Sequence, residues 1–549
     1  MDKSLRFRLN KLSTVQPSSS ITTTLQKLAE LEKQVQKSKE VESAINVVVK
    51  DLRKATAPEG QPFIFTNNIE MNEQLVRGAL AYCDDVKYRS FRVGKAKALL
   101  VYVSGLTDTS KLERTVLECL TGRLENSKPV GDINEIANLL LTAANVTVVI
   151  KPTEAITDLL KGHSLLLIDG ISEMLSIDAV KYEKRQISKA ENEDVAKGPH
   201  DSFNETLSDN IALVRRRTKD PSLKVEIFEI GSRTQTSVAL LYVDDIVKVG
   251  LVDEVRNQLL AICIDKVILS ANIEEFLIDR IWNPFPQVLA TERPDKIVAG
   301  LYEGRISIFV DNSPTAMMLP ITLQDLMQSV DDYTQRPAVA SLIRCMRYLS
   351  ALIAVFLPAL YVCIVSYHPG MLPSGLAFSI AELRARTPFP ALLEAFLMEG
   401  LLEIFQEAIV RLPQKLAAAA GVVGGLVIGT TVVEAALVNA LLVVVIALAG
   451  LSVFSMPSYT FGMALRFFRI PALIAASVLG LYGVVITSIV MIVFLCSLRT
   501  YSESYLGDLF DITLIEDWKD GLMRFPAKFL TSRPKRLGPK DRTRIGGEE

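Results

Sequence analysis

The sequence predicts α/β soluble N-terminal domains followed by an all-α multi-pass transmembrane domain, and three observations carry that prediction. The 549-residue chain is 49% hydrophobic with a mean hydropathy of +0.28, too apolar for a protein immersed in water throughout. The excess lies after Arg347, where uncharged stretches reach the length of about 20 residues that a helix needs to cross about 30 Å of hydrocarbon. Before that point, short apolar runs alternate with helical patterns, which suggests a mixed or parallel sheet covered by helices.

The elements follow in order. Residues 1–60 carry the Ser/Thr patch SSSITTT and a weak helical repeat of Leu25, Leu28, Leu31 and Val35, and read as a flexible, amphipathic arm. No apolar stretch follows the charged MDKSLRFRLNK, which argues against a cleaved secretory signal. A first α/β subdomain is expected over 61–181, with a helix near Met71–Cys83 and strands at Lys97–Leu106, Asn145–Ile150 and His163–Gly170. Residues 182–201, dense in Lys, Glu and Asp, read as a polar linker. A second subdomain over 202–335 holds a helix at Leu207–Arg217, strands at Val225–Gly231 and Ser237–Asp245, and a helix at Asp253–Ile262. Two apolar runs flanking Glu303-Gly304 predict a tight hairpin there.

The transmembrane helical domain is placed at 336–498. Spans are expected at 348–367, 416–434, 436–455 and 472–497, with an acid-bearing helix at 391–411. An even number of spans leaves both ends on one side, and Arg336, Arg344, Arg347 and the basic residues after the last span favour the cytoplasm for both. Residues 499–549 form a polar cytoplasmic tail. Its run RPKRLGPKDRTR lacks interleaved aromatics and is expected to be solvated or to lie on lipid rather than on nucleic acid.

Chemistry is sparse. Sixty basic residues balance sixty-two acidic ones, so no overall field points to nucleic acid. The six cysteines show no CxxC spacing and the three histidines lie in separate regions, so no metal site, cofactor or catalytic centre is expected. Asp331-Asp332 reads as a cap or turn. Two constellations stand out. Glu399, Glu403 and Glu407, with Glu394 upstream, form a helical stripe, either on an interfacial helix with Glu407 paired to Arg411 or at a cation vestibule. Gly421, Gly425 and Gly429 recur every four residues, leaving a helix face that another backbone can approach, within the chain or around a symmetry axis where Ile428 and Val432 would line a pore. Glu434, costly in lipid, is expected at a polar cavity, a partner or the membrane surface.

Several strings occur in an order that resembles the A subunits of GerA-type spore germinant receptors. They include VYVSGLTD (Val101–Asp108), HSLLLIDG, KGPHDSFNETLSDNIALVRRR (Lys197–Arg217), NPFPQVLATERPD (Asn283–Asp295), LYEGRISIFVDNSP (Leu301–Pro314), DDY (Asp331–Tyr333) and LPALYVCIVSYHPGMLP (Leu357–Pro373). The chain departs from the family where an Arg-x-Ile-Ser-Glu-Pro stretch reads RQISKA, with Lys189-Ala190 for Glu-Pro, and where Lys197 replaces Arg before Gly-Pro. The resemblance implies a spore inner-membrane protein that forms a homo-oligomer beside a transporter-like B subunit and a lipoprotein C subunit. It also implies a nutrient-gated channel for monovalent cations, or a paralogue that amplifies germination.

Overall fold

The structure is a computed structural model that describes residues 65–94, 96–118, 145–181, 197–278, 280–501, 503–506, 519–521 and 523–544, with the single positions 120, 133, 136, 137 and 193. The expected arm at 1–60 and most of the linker at 182–201 lie outside the described residues. In chain order, the first unit comprises α1 (Ile69–Ala79), β1 (Val86–Val93), β2 (Ala96–Val103), α2 (Thr109–Leu112), β3 (Val146–Val149), α3 (Pro152–Leu160), β4 (Ser164–Ile168) and β5 (Met174–Ile177). The second comprises α4 (Leu207–Arg217), β6 (Leu223–Ile230), β7 (Thr236–Val243), α5 (Leu251–Ala261), α6 (Ser270–Leu277), β8 (Leu289–Thr291), α7 (Pro294–Leu301), β9 (Ile306–Val310) and β10 (Ala316–Leu319).

These units repeat one plan. The sheets run β1-β2-β4-β5-β3 and β6-β7-β9-β10-β8, the same order by position. Local devices repeat with it. Asn72 brackets the entry to α1, accepting from the Thr66 amide at 2.9 Å and donating to the Thr66 carbonyl at 2.6 Å. Asn210 does the same to Asn204 at 2.8 and 2.6 Å. Asp169 after β4 accepts from the Ile69 amide, and Asp311 after β9 from the Leu207 amide. Each caps a helix start, where free amides and the helix dipole favour a carboxylate.

Every strand pairing in both sheets is antiparallel, which corrects the expected mixed or parallel sheet. Helices cover both faces, so β4 and β9 are buried at every position and read as the continuous apolar runs usual in parallel sheets. The hairpin expected around Glu303-Gly304 is also corrected. Its first arm is helix α7, opened by Pro294 at the first turn, and Gly304 ends the turn into β9 at φ +97°.

Two short helices, α8 (Leu323–Met327) and α9 (Asp331–Thr334), lead into the long α10 (Pro337–Tyr367). Then come α11 (Ser374–Ala385), α12 (Ala391–Arg411), α13 (Gln414–Glu434), α14 (Ala440–Phe454), α15 (Tyr459–Leu479) and α16 (Leu481–Ser497). Among the described residues, three helices are long and apolar enough to cross a bilayer: 337–367, 416–434 and 459–479. The expected continuous span 472–497 is corrected, because the chain reverses at Gly480. Its φ of 60° and ψ of −137° belong to glycine, and an added Cβ would stand 3.0 Å from the His368 ring. The halves α15 and α16 then lie antiparallel, so close that a Cβ on Gly483 would meet the Ala475 carbonyl at 2.0 Å.

The tail is not loose. Leu537 and Tyr505 are buried, Arg533 donates to the Tyr302 carbonyl at 2.8 Å, Lys540 reaches the Asp244 carbonyl at 2.7 Å, and Arg536 pairs with Asp325 at 3.2 Å. The expectation of a solvated or lipid-bound basic tail is therefore corrected at Arg533, Arg536 and Lys540, whose charges find carbonyls and a carboxylate outside the tail, which composition alone does not reveal.

Candidate functional site

The acids of α12 do not share one environment. Glu394 is fully buried and ties two helix starts together. Its carboxylate accepts from the Thr387 hydroxyl at 2.8 Å and from the Asn439 amide at 3.2 Å, while Asn439 caps α14 by accepting from the Leu441 amide. One turn and a half later, Glu399 receives two bonds from Arg469 of α15, at 2.9 and 2.7 Å. Glu403 faces Arg466 at 3.4 Å, and Glu407 pairs with Arg411 on its own helix at 2.5 Å with both side chains exposed. Each of the four acids thus has a partner inside the chain.

Arg469 is the hub of this region. Pro358 lacks the amide that would bond to the carbonyl four residues earlier in α10. That carbonyl belongs to Ala354, and the Arg469 Nε donates to it at 2.7 Å. A further Arg469 nitrogen donates to the Ala449 carbonyl of α14 at 3.3 Å. One buried guanidinium therefore joins α10, α12, α14 and α15. Away from water this matters, because an unpaired polar group there finds no solvent to replace its partner.

The glycines of α13 divide into two faces. A Cβ on Gly424 would stand 2.3 Å from the Phe405 ring, so this glycine lets α13 lie against α12. Gly421, Gly425 and Gly429 have nothing within 4 Å of the corresponding position. Gly425 and Gly429 border an apolar cavity of about 380 Å³ with Met398, Leu402, Phe405 and Phe454. Val432 is half-buried against the cluster around Val438 and Leu442, Glu434 is exposed at the helix end, and the side chain of Ile428 lies outside the described residues. Among the described side chains of α13, none is buried.

A third cluster sits where the soluble units meet α10. Asp332 is buried and accepts from the Ser329 amide at 3.2 Å, as a cap or turn residue does, and also from Arg344 at 2.9 Å and from Arg347 at 2.8 and 2.7 Å, so it is an ion-pair centre as well. Burial alone would raise its carboxyl value, but the two arginines outweigh burial and lower it. Tyr333 donates to the Asp520 carboxylate at 3.1 Å, bringing the tail into the same cluster. At the neighbouring Asp325, burial again pushes upward, and Arg305 and Arg536 hold the group down at about 2. The available signal was the pair of arginines twelve and fifteen residues after Asp332, which reads as membrane flanking charge until the fold turns it inward.

Among the described residues, no group of three or more His, Cys, Asp or Glu side chains is placed to hold a metal ion. The three clusters pair buried charges, join helices and leave a small-residue face of α13 with nothing within 4 Å of the added Cβ positions at Gly421, Gly425 and Gly429.

Comparison with known proteins agrees on one family. Residues 74–536 match the family described as Bacillus/Clostridium GerA spore germination protein. Spore germination protein B1 of Bacillus subtilis (strain 168) is 35% identical over 480 residues, covering 87% of this chain and 99% of the relative. Spore germination protein GerLA of Bacillus cereus is 34% identical over 471 residues, covering 85% and 95%. The crystal structure of the N-terminal domain of the A subunit of the Bacillus megaterium spore germinant receptor GerK3 aligns with 47% of this chain and 97% of its own at 27% identity, with a TM-score of 0.38. By the extent of these matches, the chain belongs to the GerA family of spore germination proteins.

Proposed function

We propose that this chain serves spore germination as the A-type subunit of a germinant receptor in the spore inner membrane. In this reading several copies pack around the open face of α13 and form a gated path for monovalent cations. A transporter-like B subunit reports nutrient and a lipoprotein C subunit completes the receptor. The observation that carries the reading is the face at Gly421, Gly425 and Gly429, where an added Cβ would meet nothing within 4 Å, on a helix of membrane-spanning length that touches Phe405 through Gly424. Small residues permit close approach of several helices about one axis, and such packing drives association in lipid.

A ligand report can move this gate only through a difference in affinity between closed and open forms. The ion pairs Glu399–Arg469 and Glu403–Arg466 join α12 to α15, and in this reading opening shifts those helices apart and frees the acids. The same pairing favours a second reading, a scaffold that assembles receptors without conducting, and Lys189-Ala190 in place of the family's Glu-Pro is compatible with a germination-amplifying paralogue. Recording from purified protein in planar bilayers separates them. Reproducible cation-selective currents support the channel, and intact oligomers that pass no current support the scaffold.

A further inference from the structure

The segment between α6 and β8 contains the sequence Arg280-Ile281-Trp282-Asn283-Pro284-Phe285, and two of its largest apolar side chains point away from the protein. Trp282 is 98% exposed and Ile281 73% exposed. An indole left in water forgoes the burial of a large apolar ring, so such a residue calls for a surface to cover it.

The position of the segment says what that surface is. Arg280 donates to the hydroxyl of Ser497, the last residue of α16, at 3.1 Å. Phe285 stacks on Phe468 of α15 with centroids 5.1 Å apart, and lies 5.9 Å from Phe461 and 6.2 Å from Phe494 of α16. Asn283 stiffens the turn between them, donating to the Phe285 carbonyl at 2.8 Å and accepting from its amide at 3.0 Å. Gln287 donates to the Arg499 carbonyl just beyond α16 at 3.0 Å. Both flanks of Ile281-Trp282 are thus fastened where the antiparallel pair α15–α16 leaves its apolar layer, and the exposed Arg280 and Arg499 stand beside them.

We propose that Ile281 and Trp282 are a membrane-surface anchor, seated in the headgroup layer of the leaflet on the side of the soluble units. The occupant is lipid: the patch is continuous with the ends of helices in the bilayer, tryptophan is enriched at that depth, and the neighbouring arginines match anionic headgroups. This rests on α15 and α16 lying in the bilayer, and on neither oligomer nor conduction. The anchor adds a second tether to α10, so the second α/β unit is held against the membrane on two sides.

The chain has two tryptophans, Trp282 and Trp518, so Trp518→Phe leaves Trp282 as the single tryptophan, excited apart from tyrosine at the red edge of its absorption. The full-length variant is placed in vesicles of phosphatidylcholine and phosphatidylglycerol, with bromine on either shallow or deep acyl positions. The proposal expects roughly twofold quenching by the shallow label, less by the deep one, and protection from aqueous acrylamide. Free quenching by acrylamide with no effect of brominated lipid overturns it. Protection from acrylamide without any bromolipid quenching also overturns it, because another protein surface then covers the indole. Trp518→Tyr serves as a second background, so a folding defect of one variant does not decide the result.

Discussion

At the scale of single residues, buried charge is the main structural expense, and its arrangement sets sharp expectations. Arg469 satisfies Glu399 and the carbonyl freed by Pro358 at once, so Arg469→Ala strands both. Removal of one partner from a buried pair costs about 3–5 kcal/mol, and the loss is measured as a lower unfolding midpoint of the detergent-solubilised chain. The double change Arg469→Leu with Glu399→Leu recovers much of it, since two apolar residues need no partner. Asp325 gives a pH dependence. Its folded value of about 2 lies below the ordinary 3.8, so it adds stability above the ordinary value and loses that contribution as pH falls through the folded one. Docking of the tail, followed by limited proteolysis of 519–544, weakens between about pH 5 and about pH 2, and Asp325→Asn docks less tightly at neutral pH with a flatter profile. Glu303, raised chiefly by burial, has the opposite sign, so the comparison with Asp325→Asn isolates the one group.

At the scale of elements, glycine position separates packing within the chain from packing between chains. Gly424→Leu drives a side chain into the Phe405 ring, and a lower midpoint is expected for the single chain. Gly425→Leu meets open space, so the fold is kept and any oligomer seen by light scattering shrinks. A loss of midpoint with Gly425→Leu, or an oligomer unaffected by it, removes the α13 face from assembly. The helices over 337–367 and 416–434 were legible because their apolar length exceeds what a soluble core needs, whereas the span expected at 436–455 is corrected to a helix of 15 residues, Ala440–Phe454. What stayed hidden was direction. Hydropathy over 472–497 continues smoothly through Gly480, although the chain turns back there, and strands buried on both faces look alike whether parallel or antiparallel. The partners of Glu399 and Asp332 were equally hidden: Arg469 lies seventy residues away, and Arg344 and Arg347 carry the charge expected of a membrane flank. The repeated units did leave a trace in Pro152, Gly162 and Asp169 against Pro294, Gly304 and Asp311, with the same spacings, but the residues between them have diverged.

At the scale of the whole molecule, the same structural logic joins the soluble units to the membrane helices. Arg215 of α4 pairs with Asp85 at 2.8 Å and locks the first α/β unit to the second. The second unit continues into α10 through Asp332, and the tail closes the joint through Asp520 and Arg536. The start of α10 is therefore fastened to the soluble units by ion pairs as well as by chain continuity. Asp332→Asn, which removes the carboxylate shared by two arginines, is expected to loosen this joint, with faster amide exchange at the start of α10 and little change in the first sheet. The proposed assembly of copies through the α13 face into a cation path is tested by bilayer recording from purified oligomers carrying Gly425→Cys, beside the unmodified chain. Cation-selective currents are expected in both, reduced by a thiol reagent only where the new cysteine is present. Intact oligomers that pass no current, or currents untouched by modification at Gly425, would contradict it.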